Sequence, residues 1–230
     1  TNRSVFILSG PMSHDTPHIP LPEFPPYLKR ERPASRAERT RQALLEAGFL
    51  EIYLKGFRAS SLSDILEVSG CTKGALYHHF TDKHALGLAA LGDAFHRFLD
   101  HNWYQPLAGT DDPVTELRRI IERHVNGELG VDPRLGCPIN NLSQEMSPID
   151  EEFRLFLSGV LAEWRGHIAD ALERGKAAGT VRADVDAEGV AAYIVATHQG
   201  VSGMLKTTRD ISLAEKCAHS YFDYLEHLRA

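Results

Sequence analysis

Cysteine is scarce. Cys71, Cys137 and Cys217 are the three in a chain of 230 residues, and they lie far apart. An odd, scattered set argues against a disulfide framework and for a reducing, cytoplasmic setting. Long apolar runs are missing as well. None approaches the roughly 20 residues that cross a bilayer, and the short Ser4–Gly10 string lacks the basic flank of a secretory leader. No stretch alternates apolar and polar residues with period two, so the strand signal is missing, and no internal repeat occurs. Positive charge is in deficit overall: 25 Lys and Arg against 31 Asp and Glu leave a net charge of −6. The remaining balance, 43% hydrophobic and 24% charged, is that of an ordinary globular chain long enough to bury a real core.

The acidic total conceals a local basic excess. Between Lys29 and Lys83 there are 10 Lys and Arg against 7 Asp and Glu, whereas residues 101–230 hold 13 against 20. Salt screens exposed charges beyond about 8–10 Å, so the local balance decides whether phosphate is attracted.

Residues 1–33 are rich in proline and poor in periodic apolar positions, which predicts a flexible arm. Helical spacing then takes over. Ser35 and Glu38 have capping-box spacing, Leu44, Leu45 and Ile52 follow at helical intervals, and Gly56 is a stop. Ser61 caps a short second helix that Gly70 breaks. Thr72 caps a third, Lys73 to about Phe80, and Thr81 or Asp82 opens a fourth. Further on, Pro113–Glu128 is amphipathic. Ser147 is read as the N-cap of a long helix with Pro148 at N1 and Asp150 at N3, closed by Gly175 and Gly179. Asp186 caps a helix running to about Lys206, and Ser212 with Glu215 opens the last. The chain is therefore expected to be all-α.

Three short helices, the second and third joined by a tight glycine turn, make a helix-turn-helix unit whose third helix lies in the DNA major groove. In "GCTKGALYHHFTDKHAL", Gly70 to Leu86, this explains an unusual run of polar residues. Thr72 and Lys73 sit at the helix N-terminus within reach of bases or phosphates. Gly74 and Ala75 let the backbone approach the groove floor. Tyr77 and His78 offer donors to phosphate oxygens, Lys83 opens the next helix, and Leu76, His79 and Phe80 turn inward. A metal reading of His78, His79 and His84 fails, because His79 and His84 lack the i, i+4 spacing and no acid or Cys completes a set. No nucleophile–base–orienter spacing for catalysis is visible either, so no catalytic residue, metal or cofactor is expected.

The span Arg41–Leu86 resembles the DNA-binding domain of the tetracycline-repressor (TetR) family of one-component regulators. "TRQALLEAG", Gly56-Phe57, Ser61, Ile65 and then Gly-x-x-Lys-Gly-x-Leu-Tyr-x-x-Phe-x-x-Lys carry the likeness. Cys71 and Gly48 depart from the usual valine and alanine. The resemblance implies that Ser61, Thr72, Lys73, Gly74, Tyr77, His78 and Lys83 contact DNA, a set completed here by Arg36 and Ala75. It divides the chain into the arm (1–33), a DNA-binding domain (34–86) and a helical ligand-binding and dimerisation domain (87–230).

In the second half, Arg134–Asp150 places Asn140, Asn141, Gln144 and Glu145 among Ile139, Leu142 and Met146, the mixed lining a small-molecule pocket requires. Its Gly-Cys-x-x-x-Asn-Leu-x-x-Glu string resembles a TetR subgroup that includes sensors of reactive electrophiles and acrylate-like acids. The expected ligand set is Cys137, Asn141, Gln144, Glu145, Trp164 and His167. His124 and Tyr193 are read either as lining or as interior packing, and Trp103 and Tyr104 as a connection over the pocket mouth. Cys137 has two readings, a thiolate activated by the helix at Pro138 and by Arg134, or a small buried hydrophobe. The helices over 151–175 and 187–206, with Gly200, Ser202 and Gly203 for close approach, are expected to build a homodimer. The expected function is a repressor that leaves a palindromic double-stranded DNA operator when a small-molecule effector binds or Cys137 is modified. The alternative is a helical enzyme or small-molecule-binding protein that uses the three-helix unit only as scaffold.

Overall fold

The computed structural model describes residues 35–129 and 132–230. The expected proline-rich arm lies outside them. The described residues form α1 (Arg36–Lys55), α2 (Leu62–Ser69), α3 (Lys73–His79), α4 (Lys83–Leu99), a π turn (Asp100–Tyr104), α5 (Gln105–Ala108), α6 (Pro113–Val125), α7 (Pro138–Met146), α8 (Glu151–Ala178), α9 (Ala187–Thr208) and α10 (Ile211–Glu226). The described residues are all-helical, as their periodicity requires; an isolated bridge between Val181 and Arg229 pins the C-terminus.

The local rules explain most boundaries. Ser35 and Glu38 form a reciprocal capping box on α1, and Thr72 caps α3 through the Ala75 N–H. Gly70 adopts the left-handed conformation (φ 64°) that lets α2 end and α3 begin within three residues. Three boundaries differ from the sequence reading. Asp150, rather than Ser147, caps α8 through the Phe153 N–H; the N–H groups of Ile149 and Asp150 both bond to the Met146 carbonyl, so residues 147–149 are the closing turn of α7. Gly175 is inside α8, because a Cβ there would come within 2.7 Å of Pro113 and Val181; it lets α6 and the 181 turn press close. Asp210, not Ser212, caps α10, and it takes both the N–H and the hydroxyl of Ser212.

The connection expected at Trp103 and Tyr104 is also helical. α4 continues through the π turn into α5, crossing the boundary expected at residue 86. Pro106 has no N–H for the Asn102 carbonyl and its ring crowds that carbonyl, so the Gln105 N–H bonds five residues back, to Asp100. The extra residue turns Asn102 and Trp103 fully inward. One continuous rod thus joins the first three helices to a larger bundle in which α8 packs along α9 and α10 lies across α6 and α9.

Candidate nucleic-acid interface and effector cavity

One side of α3 is fixed in the core. Leu76 is fully buried, Phe80 is nearly so, and the Arg41 guanidinium lies 5.4 Å from the centre of the Phe80 ring. The other side faces solvent: Thr72, Lys73, Gly74, Tyr77 and His78 are exposed, with Ala75 half-buried. Tyr77 is 49% exposed, too much for a packing residue, and its ring lies 5.9 Å from Lys73 Nζ. A Cβ on Gly74 would meet nothing nearer than Thr72 Oγ1 at 4.0 Å, so the backbone there is open to close approach. Burial, together with the charges of His78 and Arg41, holds the His79 imidazole below its ordinary pKa and neutral at the rim of this face. Arg36 is exposed at the start of α1.

Two residues of the expected DNA-facing set are engaged inside the domain. Ser61 Oγ accepts the Asp64 N–H at 3.1 Å and so caps α2. Lys83 departs further from expectation. Its ammonium donates to the carbonyls of Ser60 (2.6 Å) and Arg58 (3.3 Å) and sits 4.7 Å from the centre of the Phe57 ring. Burial lowers its pKa, partly offset by Glu145. Lys83 therefore braces the turn between α1 and α2, which in turn sets the angle of α2 and α3.

In the larger domain a half-open pocket of about 70 Å³ lies between α6, α9 and α10. Ile121, Val125, Val201, Leu205, Ala214 and Ala218 give it apolar walls, into which His124, Thr197, His198, Cys217 and Tyr221 bring polar atoms. Behind His198 stand Trp103 and Trp164, with ring centres 5.4 and 5.2 Å from its own; His124 lies 4.4 Å away on the other side. Burial, reinforced by Arg123, pushes His124 down to about 4, and burial with His124 pushes His198 well below the ordinary histidine value. Both imidazoles are therefore neutral at pH 7. The Tyr221 phenol is driven up by burial. Among the described residues, His124 Nδ1, Tyr221 Oη and both tryptophan Nε1 atoms are buried without a hydrogen-bond partner. A protein interior leaves few such groups unpaired, and two of the four residues, His124 and Tyr221, line the pocket.

The residues expected to form the pocket do not assemble there. Trp164 is in the aromatic cluster. His167 instead stacks on Tyr104, with ring centres 3.8 Å apart. Gln144 is exposed. Asn141 donates to the Leu135 carbonyl at 2.8 Å and accepts from Lys206 at 3.1 Å. Glu145 binds backbone N–H groups of Phe57 and Arg58 at 2.9 and 2.8 Å, outside the cavity altogether. Cys137 is 6% exposed and burial pushes its thiol up, while Arg134 is turned to Asp132 at 2.6 Å. The thiolate reading thus lacks both the exposure and the neighbouring cation it requires, and Cys137 fits the small buried hydrophobe. His198 and Tyr221 were not legible as pocket residues. The available signal was a histidine beside Thr197 among the apolar positions of its helix, and nothing local marks Tyr221 as part of a lining.

Comparisons with known proteins identify the family and the fold. Residues 44–90 match the family model described as bacterial regulatory proteins, tetR family, and residues 113–221 match the tetracyclin repressor-like C-terminal domain. The chain is 33% identical over 182 residues to the transcriptional regulator AcuR of Cereibacter sphaeroides, covering 75% of this chain and 82% of that one. It is 26% identical to the transcriptional repressor DhaR of a Mycobacterium species, over 74% of this chain and 84% of the relative. Among solved structures, the regulatory protein TetR from Rhodobacter sphaeroides superposes with a TM-score of 0.69 at 25% identity, over 83% of this chain and 99% of that one.

Proposed function

The chain belongs to the TetR family of bacterial transcriptional regulators, and from that premise we propose that it is a ligand-responsive repressor whose α3 reads a palindromic operator. The observation that carries this reading is the two-sided α3. Leu76 and Phe80 anchor it, leaving Lys73, Gly74, Tyr77 and His78 as an exposed strip with one cation and hydrogen-bonding side chains, on a helix of the kind that enters a major groove. Lys73 and Tyr77 engage phosphates beside base edges, and Arg36 adds a further cation at the margin.

Two copies are needed to present two such strips one DNA turn apart. We assign the dimer contact to the outer faces of α8 and α9, across 151–175 and 187–206. Leu155, Tyr193 and Met204 expose apolar surface there. A Cβ at Gly159, Gly166 or Gly200 would meet nothing within 4 Å, so these faces admit a close helix. Ser202 and Gly203, expected at the same interface, instead line the cavity and face Asn140. No helix of the described residues is long and apolar enough to cross a membrane, and on this reading the protein works in the cytoplasm beside its DNA.

The effector site is the α6/α9/α10 cavity. Its dimensions and walls suit a small, mostly apolar molecule with one hydrogen-bonding head that pairs with His124 Nδ1 and Tyr221 Oη. Its occupation favours the conformation with lower operator affinity, by the difference in ligand affinity between the two states.

The test is a duplex selected by the protein from a random pool, followed by anisotropy titrations over a range of salt. Wild-type affinity falls steeply as salt rises. Lys73→Ala weakens binding across sequences and reduces the salt slope by about 1. Undiminished binding by both Lys73→Ala and Tyr77→Ala overturns the assignment. A salt-independent affinity would instead favour the scaffold reading, a helical enzyme or binding protein.

A further inference from the structure

A specific set of contacts joins the cavity to the turn from which α2 and α3 leave. α9 walls the cavity with Thr197, His198, Val201, Ser202 and Leu205. The next residue, Lys206, reaches out of that wall to α7, where its ammonium donates to Asn141 Oδ1 at 3.1 Å. Its methylene chain covers Gly136, whose φ of 72° favours glycine; a Cβ there would lie 3.1 Å from Lys206 Cδ and push the lysine chain aside by a few tenths of an ångström. The Gly136 carbonyl in turn accepts the Tyr53 hydroxyl of α1 at 2.8 Å. The strip before α7 is thus held between the cavity helix and the DNA-binding domain.

α7 makes the second contact. Glu145 follows Asn141 by one helical turn, on the same face. Its two carboxylate oxygens take the N–H groups of Phe57 and Arg58, at 2.9 and 2.8 Å. This is a charge-assisted pair of bonds to consecutive backbone amides, and it fixes the turn in position and orientation. Gly56 makes room for it: its φ is 85°, and a Cβ would come within 2.8 Å of Glu145 Oε2. The turn gripped from one side by Glu145 is gripped from the other by Lys83, through the carbonyls of Arg58 and Ser60. α2 and α3 leave from that turn.

We propose that α7 is a lever between the two sites, with Lys206–Asn141 as the input and Glu145 on the Phe57 and Arg58 amides as the output. Movement of α9 on cavity filling shifts Asn141, and Glu145 moves the turn that aims α3. Asn141 and Glu145 are positioning residues: neither touches the effector or DNA. The inference rests on the cavity being the effector site, and the experiment separates the two ideas.

The first arm needs no effector. Amide exchange at Phe57 and Arg58 is measured in the full-length protein by NMR or mass spectrometry. Glu145→Gln raises exchange at both amides, and so does Lys206→Met, which touches neither. Unchanged exchange in Lys206→Met overturns the lever whatever the cavity does.

The second arm fills the cavity from within, with Ala218→Phe, or Ala218→Leu where the larger ring prevents folding. The readout is the dissociation constant for the selected duplex. Filling raises it by a factor in the usual allosteric range of about 5–150, and in the Glu145→Gln or Lys206→Met background the factor falls towards 1. An undiminished factor in both backgrounds overturns the lever and assigns the route to the continuous α4–α5 rod. No response to either filling variant in the wild-type background, with exchange still coupled to Lys206, overturns the cavity reading alone.

Discussion

Acid should find His124 before it finds most of the core. The buried imidazole titrates near about 4 in the folded chain, against 6.5 for the solvated group. As pH falls, the unfolded chain therefore binds the proton first. The stability contributed by the neutral ring is complete above pH 6.5 and is lost as pH falls towards 4. With about 1.36 kcal/mol per pKa unit, the full difference is roughly 3 kcal/mol, of which about 2 is already lost at pH 5. His198, also depressed and facing His124, adds to the same slope. For a chain of this size, 2 kcal/mol corresponds to a fall in Tm of about 4–8 °C. The assay is urea denaturation at fixed protein concentration, at pH 7.5, 6 and 5, for the wild type and His124→Leu. Carboxylates titrate in both proteins, so the difference between the two curves isolates the histidine. The wild type should lose about 2 kcal/mol more than the variant between pH 7.5 and 5. Parallel curves would refute the reasoning, since they would mean that the His124 imidazole is hydrated and not buried as described above.

Gly56→Ala forces a left-handed residue to carry a Cβ against Glu145 Oε2; a loss of about 1–3 kcal/mol by denaturant midpoint is expected, and Glu145→Ala in the same chain should recover part of it. Gly175→Val drives a branched side chain into Pro113 and Val181; thermal unfolding should show about 1–3 kcal/mol of destabilisation. In native protein, iodoacetamide followed by peptide mapping should modify Cys71 and Cys217 well before Cys137, which is buried with a raised pKa; early labelling of Cys137 would restore the thiol-sensor reading.

The DNA-binding end was legible because its signals are local. Caps at Ser35, Ser61 and Thr72, a glycine at 70 and a polar run on one short helix lie within 45 residues, and each has a fixed meaning in backbone geometry. The pocket proposed for the effector was not, because it is lined by side chains from three helices that are remote in sequence. His124, His198 and Tyr221 meet only after α6, α9 and α10 have packed. Polar residues clustered in sequence, as around Asn141 and Glu145, suggested a lining and proved to be joints between elements. Lys83 has an engagement that its position did not reveal: a cation at a helix start suits a phosphate as well as it suits a pair of carbonyls, and the path of the turn before it brings the carbonyls within reach. The π turn was hidden because Pro106 reads as a helix end unless the register can slip by one residue.

Glu145 takes hold of the main chain and ignores the side chains of Phe57 and Arg58. Its grip is therefore indifferent to what those positions carry. On the proposed lever, a reading head selected for another operator stays answerable to the second domain if the splice keeps Gly56, which leaves room for Glu145, and Lys83, which holds the turn from the other side.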